Sequence, residues 1–132
     1  MVFTTGIRVT TRFEGLHHWP AAPEPEEYLR TLHRHEFVVY LDAQVHHGDR
    51  EIEINNLARW LEGLIPSFAT TPATGGGPAD YGTQSCEQLA KRIITAFTTE
   101  YGTDRQVTCA VLEDGLQGGT VTWHPDHRVL QE

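Results

Sequence analysis

Four stretches with the residue pattern of β-strands constrain the fold of this chain more than any other feature. Residues 2–14 alternate polar and apolar side chains, and residues 35–45 are rich in β-branched and aromatic side chains. Residues 105–113 and 118–124 have the same character, and the DGLQG segment between them is a hairpin signal. Successive side chains of a strand point to opposite faces, so these stretches predict the half-buried strands of a sheet.

Two amphipathic helices are predicted between the two pairs of strands. Residues 53–65 place apolar side chains at helical spacing and are followed by Pro66. Residues 85–100 show the same spacing, with Ser85 as the N-cap. The order β-β-α-α-β-β predicts an α+β domain, in which two helices cover one face of a four-stranded antiparallel sheet. The open edges of such a sheet favour association into an oligomer.

The connecting segments are predicted to be irregular. A Pro-rich loop after the first strand ends in a short helical turn around residues 26–32, and residues 46–49 form a turn. Residues 66–82 are rich in Gly and Pro and lack periodicity, which predicts a long mobile loop. The tail after Pro125 is expected to fray.

Length and composition restrict the class of protein. The chain has 132 residues, of which 39% are hydrophobic and 21% charged, and this predicts one globular domain over residues 1–132. The formal net charge of −8 argues against binding to nucleic acid, which needs a basic surface. The first residues lack the pattern of a secretory signal, and no apolar run is long enough to span a bilayer. A cytoplasmic protein is therefore expected, in which Cys86 and Cys109 form neither a disulfide nor a CxxC zinc motif.

Histidine is unusually frequent, with eight residues in the chain. His33 and His35 are separated by one residue, so a strand would point both side chains to the same face. An antiparallel neighbour would bring the adjacent His17–His18 pair alongside them, and three imidazoles can bind zinc. The spacing alone leaves equally open the alternative of surface histidines that bind no metal. Four other histidines are expected to have no function: His46, His47, His124 and His127.

Five motifs that together span most of the chain carry a family resemblance. They are FEGLHHWPAAPE, LHRHEF, REIEINNLARWL, SCEQLAKRI and VTCAVLEDG. These motifs resemble those of the 6-pyruvoyl-tetrahydropterin and 6-carboxy-tetrahydropterin synthase family. The resemblance implies the tunnelling fold, in which the four-stranded sheets of several subunits join into a barrel, commonly as trimers stacked into hexamers. It also implies a zinc ion bound by His17, His33 and His35. Glu113 would bind the pterin, and Glu87 lies at a glutamate position of the family.

Two parts of the family's catalytic machinery have no counterpart in this chain. The family's cysteine before the H-x-H motif is absent from PEPEEYLRTL, and its Asp-His dyad is absent from residues 66–82. Some relatives replace the cysteine with a glutamate, so Glu24, Glu26 or Glu27 is a candidate general base beside the metal. Cys86, at the start of the second predicted helix, is a further candidate as a displaced nucleophile.

The residues and the resemblance together predict a zinc-dependent lyase- or synthase-like enzyme that acts on a pterin or a related purine-derived heterocycle. The alternative is a catalytically altered or inactive member of the family, which binds a metal and a heterocyclic ligand as an oligomeric binding protein. The expected partners are a small molecule and further copies of the chain, as a trimer or hexamer.

Overall fold

The computed structural model describes residues 2–125 and contains, within that range, five strands and two α-helices. In chain order the elements are β1 (Thr5–His17), β2 (His33–Val45), α1 (Ile54–Leu64), β3 (Ala79–Asp80), α2 (Cys86–Tyr101), β4 (Val107–Glu113) and β5 (Gln117–Trp123). Two single-turn 3-10 helices lie at Glu27–Arg30 and Ile65–Phe68. The predicted fraying of the tail after Pro125 and the expectation that His127 has no function both concern residues outside the described range.

The α+β class, the two helices and the four long strands are confirmed, but the prediction of four strands that are all antiparallel is wrong. The sheet has five strands in the order β3-β1-β2-β4-β5, and β3 runs parallel to β1. β3 comes from residues 66–82, which the sequence predicts to be loop throughout. The Tyr81 amide donates a hydrogen bond to the Leu16 carbonyl at 2.7 Å, which ties this segment to β1. A strand of two residues is too short to show alternation, so the pattern does not reveal it.

β1 and β2 form the longest pairing in the sheet. Their antiparallel register is unbroken from Thr5 opposite Val45 to His17 opposite His33. α1 packs against β1, and α2 packs against β4 and β5. Alternate residues of β2 point into the core between sheet and helices and are buried: Phe37, Val39, Leu41, Ala43 and Val45. The predicted covering of one face of the sheet by two helices is therefore confirmed.

The opposite face of the sheet is charged where β1 and β2 meet. Three cross-strand ion pairs join the two strands there: Arg8 with Asp42, Arg12 with Glu36, and Arg34 with Glu14. Their side chains are largely exposed, so each pair contributes little to the free energy of folding. The two faces of the β1–β2 pair therefore differ sharply in polarity, which fixes the face on which each side chain lies.

The sheet is open in the part of the chain that the structure describes. β5 forms one edge, and the first half of β1 lies on the other, since β3 pairs only with Gly15 and Leu16. The closed barrel implied by the family resemblance needs further strands at both edges, and it stays a prediction. Between residues 2 and 125, none of the helices combines the length and apolar character needed to cross a membrane.

The predicted N-cap of α2 is confirmed. The Ser85 hydroxyl accepts a hydrogen bond from the Gln88 amide, and the Gln88 side chain accepts one from the Ser85 amide. Such a capping box satisfies two amides of the first turn that have no partner within the helix. The first turn of α2 is thereby held in a fixed position, which matters because it borders the cavity described below.

Two glycines of β5 allow a close approach to the first turn of α2 and to β4. A Cβ atom built on Gly119 would lie 2.7 Å from the Glu87 amide nitrogen. A Cβ atom built on Gly118 would lie 1.8 Å from the Val111 carbonyl oxygen. Neither distance leaves room for a side chain, so Gly119 allows the close approach of β5 to the start of α2, and Gly118 allows that of β5 to β4.

Gly119→Ala is expected to destabilise the protein by about 1–3 kcal/mol, because the added methyl group pushes α2 away from β5. Gly63→Ala is the matched control, since Gly63 lies in α1 with no atom within 4 Å of an added Cβ. Alanine at that helical position should be neutral or stabilise by up to about 1 kcal/mol. Urea unfolding measures both changes, and equal midpoints for the two variants would contradict the close approach.

Candidate metal centre

Three imidazoles meet at one end of the helix-covered face of the sheet. The register of β1 and β2 places His17 opposite His33, and His35 lies two residues further along β2 on the same face. The ring centroids are 4.6 Å apart for His17 and His33, 5.3 Å for His17 and His35, and 5.0 Å for His33 and His35. The structure thus brings together the three side chains that the strand spacing predicts to be neighbours.

Each of the three rings has a hydrogen-bond acceptor at its Nδ1 atom. The acceptors are the Gln84 carbonyl oxygen at 3.0 Å from His17, the Thr31 carbonyl oxygen at 2.9 Å from His33, and the Asp114 carboxylate at 2.8 Å from His35. Carbonyl and carboxylate oxygens accept hydrogen bonds, so each Nδ1 carries the proton and donates it. In the neutral rings the lone pair is therefore on Nε2, which is the arrangement found in metal-ligating histidines.

Two of the three Nε2 atoms, those of His17 and His35, lie close to one carboxylate. Glu113 Oε2 is 3.0 Å from His17 Nε2 and 3.6 Å from His35 Nε2. One nitrogen from each of the three histidines and one oxygen of Glu113 lie within 4.8 Å of one another. Ligands bound at about 2.0–2.1 Å to a tetrahedral metal ion are about 3.3 Å apart, so small side-chain movements suffice to enclose an ion.

Two ring nitrogens of the histidine cluster are buried and have no hydrogen-bond partner. They are the Nε2 atoms of His17 and His35, judged within the described part of the chain. A buried polar atom without a partner costs about 1–3 kcal/mol, and a divalent cation would satisfy both nitrogens and the Glu113 carboxylate at once. The cluster can therefore hold a metal ion. Its three nitrogens and one oxygen suit several divalent transition metals.

His17 is the most buried member of the cluster, with 7% of its surface exposed. Burial lowers the pKa of its imidazole and outweighs the Gln84 carbonyl and the Glu113 charge, which both raise it. The ring is therefore neutral at physiological pH. Because protons compete with a metal for imidazole nitrogen, this neutral state favours metal binding.

A cavity of about 540 Å³ opens beside the histidine cluster. Part of its lining comes from His17, His33 and Glu113, and another part from residues 85–88 in the first turn of α2. Trp19, which is about half exposed, also lines it. This volume falls within the range of about 300–1,000 Å³ that is usual for small-molecule sites.

The other predicted site residues differ in their relation to this cavity. Glu87 lines it from the first turn of α2. Glu24, Glu26 and Glu27 are not among its lining residues, although Leu29 in the adjacent 3-10 turn is. Glu24 and Glu27 are exposed, and Glu26 is half-buried. The role of general base stays a prediction for these three glutamates.

Cys86 lines the cavity, but its thiol is not poised to act as a nucleophile. Burial, followed by the charges of Glu113 and Glu87, raises the pKa of Cys86 to about 12. Burial also raises the pKa of Cys109 to about 12. The thiolate is the nucleophilic form, so the raised pKa does not favour the displaced nucleophile that the sequence suggests at Cys86.

Both cysteines are expected to resist alkylation by iodoacetamide in the folded protein at about pH 8, where an ordinary cysteine is partly ionised. Unfolding in urea removes the burial that raises both pKa values, so labelling should then be complete. Mass spectrometry of the native and unfolded samples measures the difference. Rapid labelling of Cys86 in the native sample would show that its pKa is not raised.

Asp114 is a site residue that the sequence does not reveal. It lies in the turn after β4 and has a positive φ of 56°. Its carboxylate accepts a hydrogen bond from His35 Nδ1 and one from the Glu36 amide at 3.1 Å, and these bonds lower the pKa of Asp114. In the sequence Asp114 and Gly115 indicate only a turn. The contact with His35 arises because β2 pairs with β4, which no local pattern shows.

Asp114→Asn is expected to weaken metal binding by about 10–100-fold, because the side chain keeps its shape but loses the charge that orients and polarises His35. Asparagine tolerates a positive φ, so the turn should be preserved. Asp49→Asn is the control, since Asp49 forms an ion pair with Arg50 on the exposed surface. Competition with a chromogenic chelator measures the affinities. An unchanged affinity in Asp114→Asn would exclude this role.

Comparisons with known proteins do not identify a family. No protein-family model matches the chain, and a search of curated proteins gives no significant match. The function is therefore inferred from the geometry of the site, together with the motifs of the sequence.

Proposed function

We propose that the protein is a zinc-dependent enzyme with a lyase- or synthase-like reaction on a pterin or a related purine-derived heterocycle. One observation carries the proposal: three histidines have Nδ1 fixed by acceptors while their other ring nitrogens gather beside a cavity. Catalytic zinc is typically held by three protein ligands next to a position open to a substrate. The motif resemblance to the 6-pyruvoyl- and 6-carboxy-tetrahydropterin synthases supplies the substrate class.

His17, His33 and His35 are the residues that would hold the metal. Bound zinc supplies a Lewis acid that polarises a hydroxyl or carbonyl oxygen of the substrate. The chain prepares the three rings for this role, because the acceptors at Nδ1 fix their tautomers and orientations. Burial of His17 adds to this by keeping its ring neutral.

The carboxylates of the cavity suit a heterocycle that donates hydrogen bonds. Glu113 and Glu87 both line the cavity. A carboxylate accepts two parallel hydrogen bonds, which matches an amino group and a ring N–H presented side by side by a pterin. Trp19 adds an apolar surface against which a flat ring can pack.

Of the three candidate general bases, Glu26 is the one that is half-buried. The charge of Glu26, followed by its hydrogen bonding, raises the pKa of Tyr28, and the charge of Glu113 adds a smaller effect. Tyr28 therefore lies within electrostatic reach of both carboxylates. Glu24 and Glu27 are more exposed but belong to the same segment. We infer that a carboxylate of this segment removes a proton from the substrate.

A homo-oligomeric barrel of the tunnelling-fold type, as a trimer or hexamer, is part of the proposal. Support comes from the open edges at β5 and at the first half of β1, whose backbone groups can pair with neighbouring subunits. A cytoplasmic location is also proposed. The free thiols of Cys86 and Cys109 suit that reducing compartment.

A non-catalytic oligomeric protein that binds a metal and a heterocyclic ligand is the second candidate. Glu113 favours it, because its carboxylate provides a fourth donor beside the three histidines. Closed sites with four protein ligands are typical of structural zinc. The protonated thiol of Cys86 also leaves the cavity without the thiolate used in the resembled family.

Turnover of dihydroneopterin triphosphate distinguishes the two candidates. Zinc-loaded wild-type protein is expected to convert it, and His33→Ala is expected to abolish conversion because a metal ligand is lost. Glutamine replaces each of Glu24, Glu26 and Glu27 in turn, and the variant that lacks the general base should lose about 10²–10⁴-fold in kcat. His47→Ala is the control, since His47 lies in an exposed turn away from the cluster and should keep full activity.

Two results would contradict the enzymatic proposal in different ways. Binding of the pterin without conversion by wild-type protein would favour the second candidate. Conversion by His33→Ala at the wild-type rate would exclude the metal centre from the reaction.

A further inference from the structure

The Glu113 side chain lies beside both the histidine cluster and the cavity. Its Oε2 atom lies 3.0 Å from His17 Nε2 and 3.6 Å from His35 Nε2, and the same side chain lines the cavity. Among residues 2–125, no lysine or arginine forms an ion pair with it. Its side chain is only 27% exposed, so its charge is partly removed from water without a permanent cation to compensate it.

The contact between Glu113 and His17 lacks the geometry of a hydrogen bond. His17 Nε2 makes no hydrogen bond within the described residues, although the Glu113 oxygen is 3.0 Å away. His35 Nε2 also makes no hydrogen bond within the described residues. The nitrogen and oxygen atoms are instead gathered around a common volume, as the ligands of one cation are.

We propose that Glu113 is the fourth metal ligand in the absence of substrate, and that it gives up this position when a ligand enters the cavity. This inference rests on the metal centre of the proposed function. Once released, the carboxylate is free to accept hydrogen bonds from a heterocycle, which is the role that the family resemblance implies. The same side chain would then couple recognition of the ring to opening of the metal centre.

The position of Glu113 in the sheet allows this exchange by side-chain rotation. Its backbone is fixed at the end of β4, where it pairs with Phe37 of β2 and Gln117 of β5. The side chain has the histidines within reach and also lines the cavity. Glutamate has several staggered rotamers, so a change of partner needs no movement of the backbone.

Cobalt-loaded protein, with imidazole as a neutral probe, tests this exchange. Co²⁺ accepts nitrogen and oxygen ligands as zinc does, and its visible spectrum reports a change of ligand or coordination number. Glu113→Ala is expected to alter this spectrum. It should also bind imidazole more tightly than wild type, because imidazole no longer competes with Glu113 for the fourth coordination position of the metal. If Glu113 occupies that position in about 90% or more of wild-type molecules, the affinity should rise at least about tenfold.

Glu62→Ala is the matched control, because it removes an equal charge from the exposed surface of α1, outside the cavity lining and the metal cluster. It is expected to leave the cobalt spectrum and the imidazole affinity as in wild type. Glu113→Gln keeps the size of the side chain and tests whether the effect depends on the lost carboxylate. It should resemble Glu113→Ala in its imidazole affinity.

The outcomes separate this inference from the proposed function. If both Glu113 variants bind cobalt with the wild-type spectrum and the wild-type imidazole affinity, Glu113 is not a ligand, and only this inference fails. If wild-type protein binds no cobalt, the metal centre of the proposed function and this inference fail together.

Discussion

The antiparallel register of β1 and β2 is the constraint on which the rest of the structure depends. It runs without a break from Thr5 to His17 and ends by placing His17 opposite His33. A slip of one residue would turn every side chain of β1 to the other face, exchanging buried apolar groups for the charged residues of the opposite surface. The hydrophobic core therefore also determines which imidazoles meet. The same alternation that buries Phe37 points His33 and His35 towards the cluster.

The site forms where several elements begin or end. β1 ends at His17, β2 begins at His33, β4 ends at Glu113, and α2 begins just after Ser85. Backbone groups at such positions have fewer partners within the sheet or helix, and the carbonyls that fix the histidine rings come from residues outside the strands. The cost is a group of buried ring nitrogens that have no hydrogen-bond partner within residues 2–125. Metal binding would remove that cost, so it should also stabilise the fold.

The sequence predicted the parts of this arrangement that depend on local patterns. The helical spacing of α1 and α2, the N-cap at Ser85 and the shared face of His33 and His35 all follow from residues near one another in the chain. Contacts that depend on the pairing of strands distant in the sequence could not be predicted from local patterns. β3 has two residues and no pattern of its own, and Asp114 meets His35 only because β4 pairs with β2. Glu113 was expected to contact only a substrate, and its approach to the histidines depends on the same pairing.

The central claim is that His17, His33 and His35 bind one metal ion through Nε2. Long-range ¹H–¹⁵N NMR of the histidine rings tests it directly, because it identifies the tautomer of each ring and the nitrogen that the metal contacts. These three rings are expected to carry the proton on Nδ1 before zinc is added, and their Nε2 resonances alone are expected to shift when zinc is added. The claim would be contradicted if these three rings carried their protons on Nε2. It would also be contradicted if zinc shifted the resonances of His46, His47 or His124 in place of those of these rings.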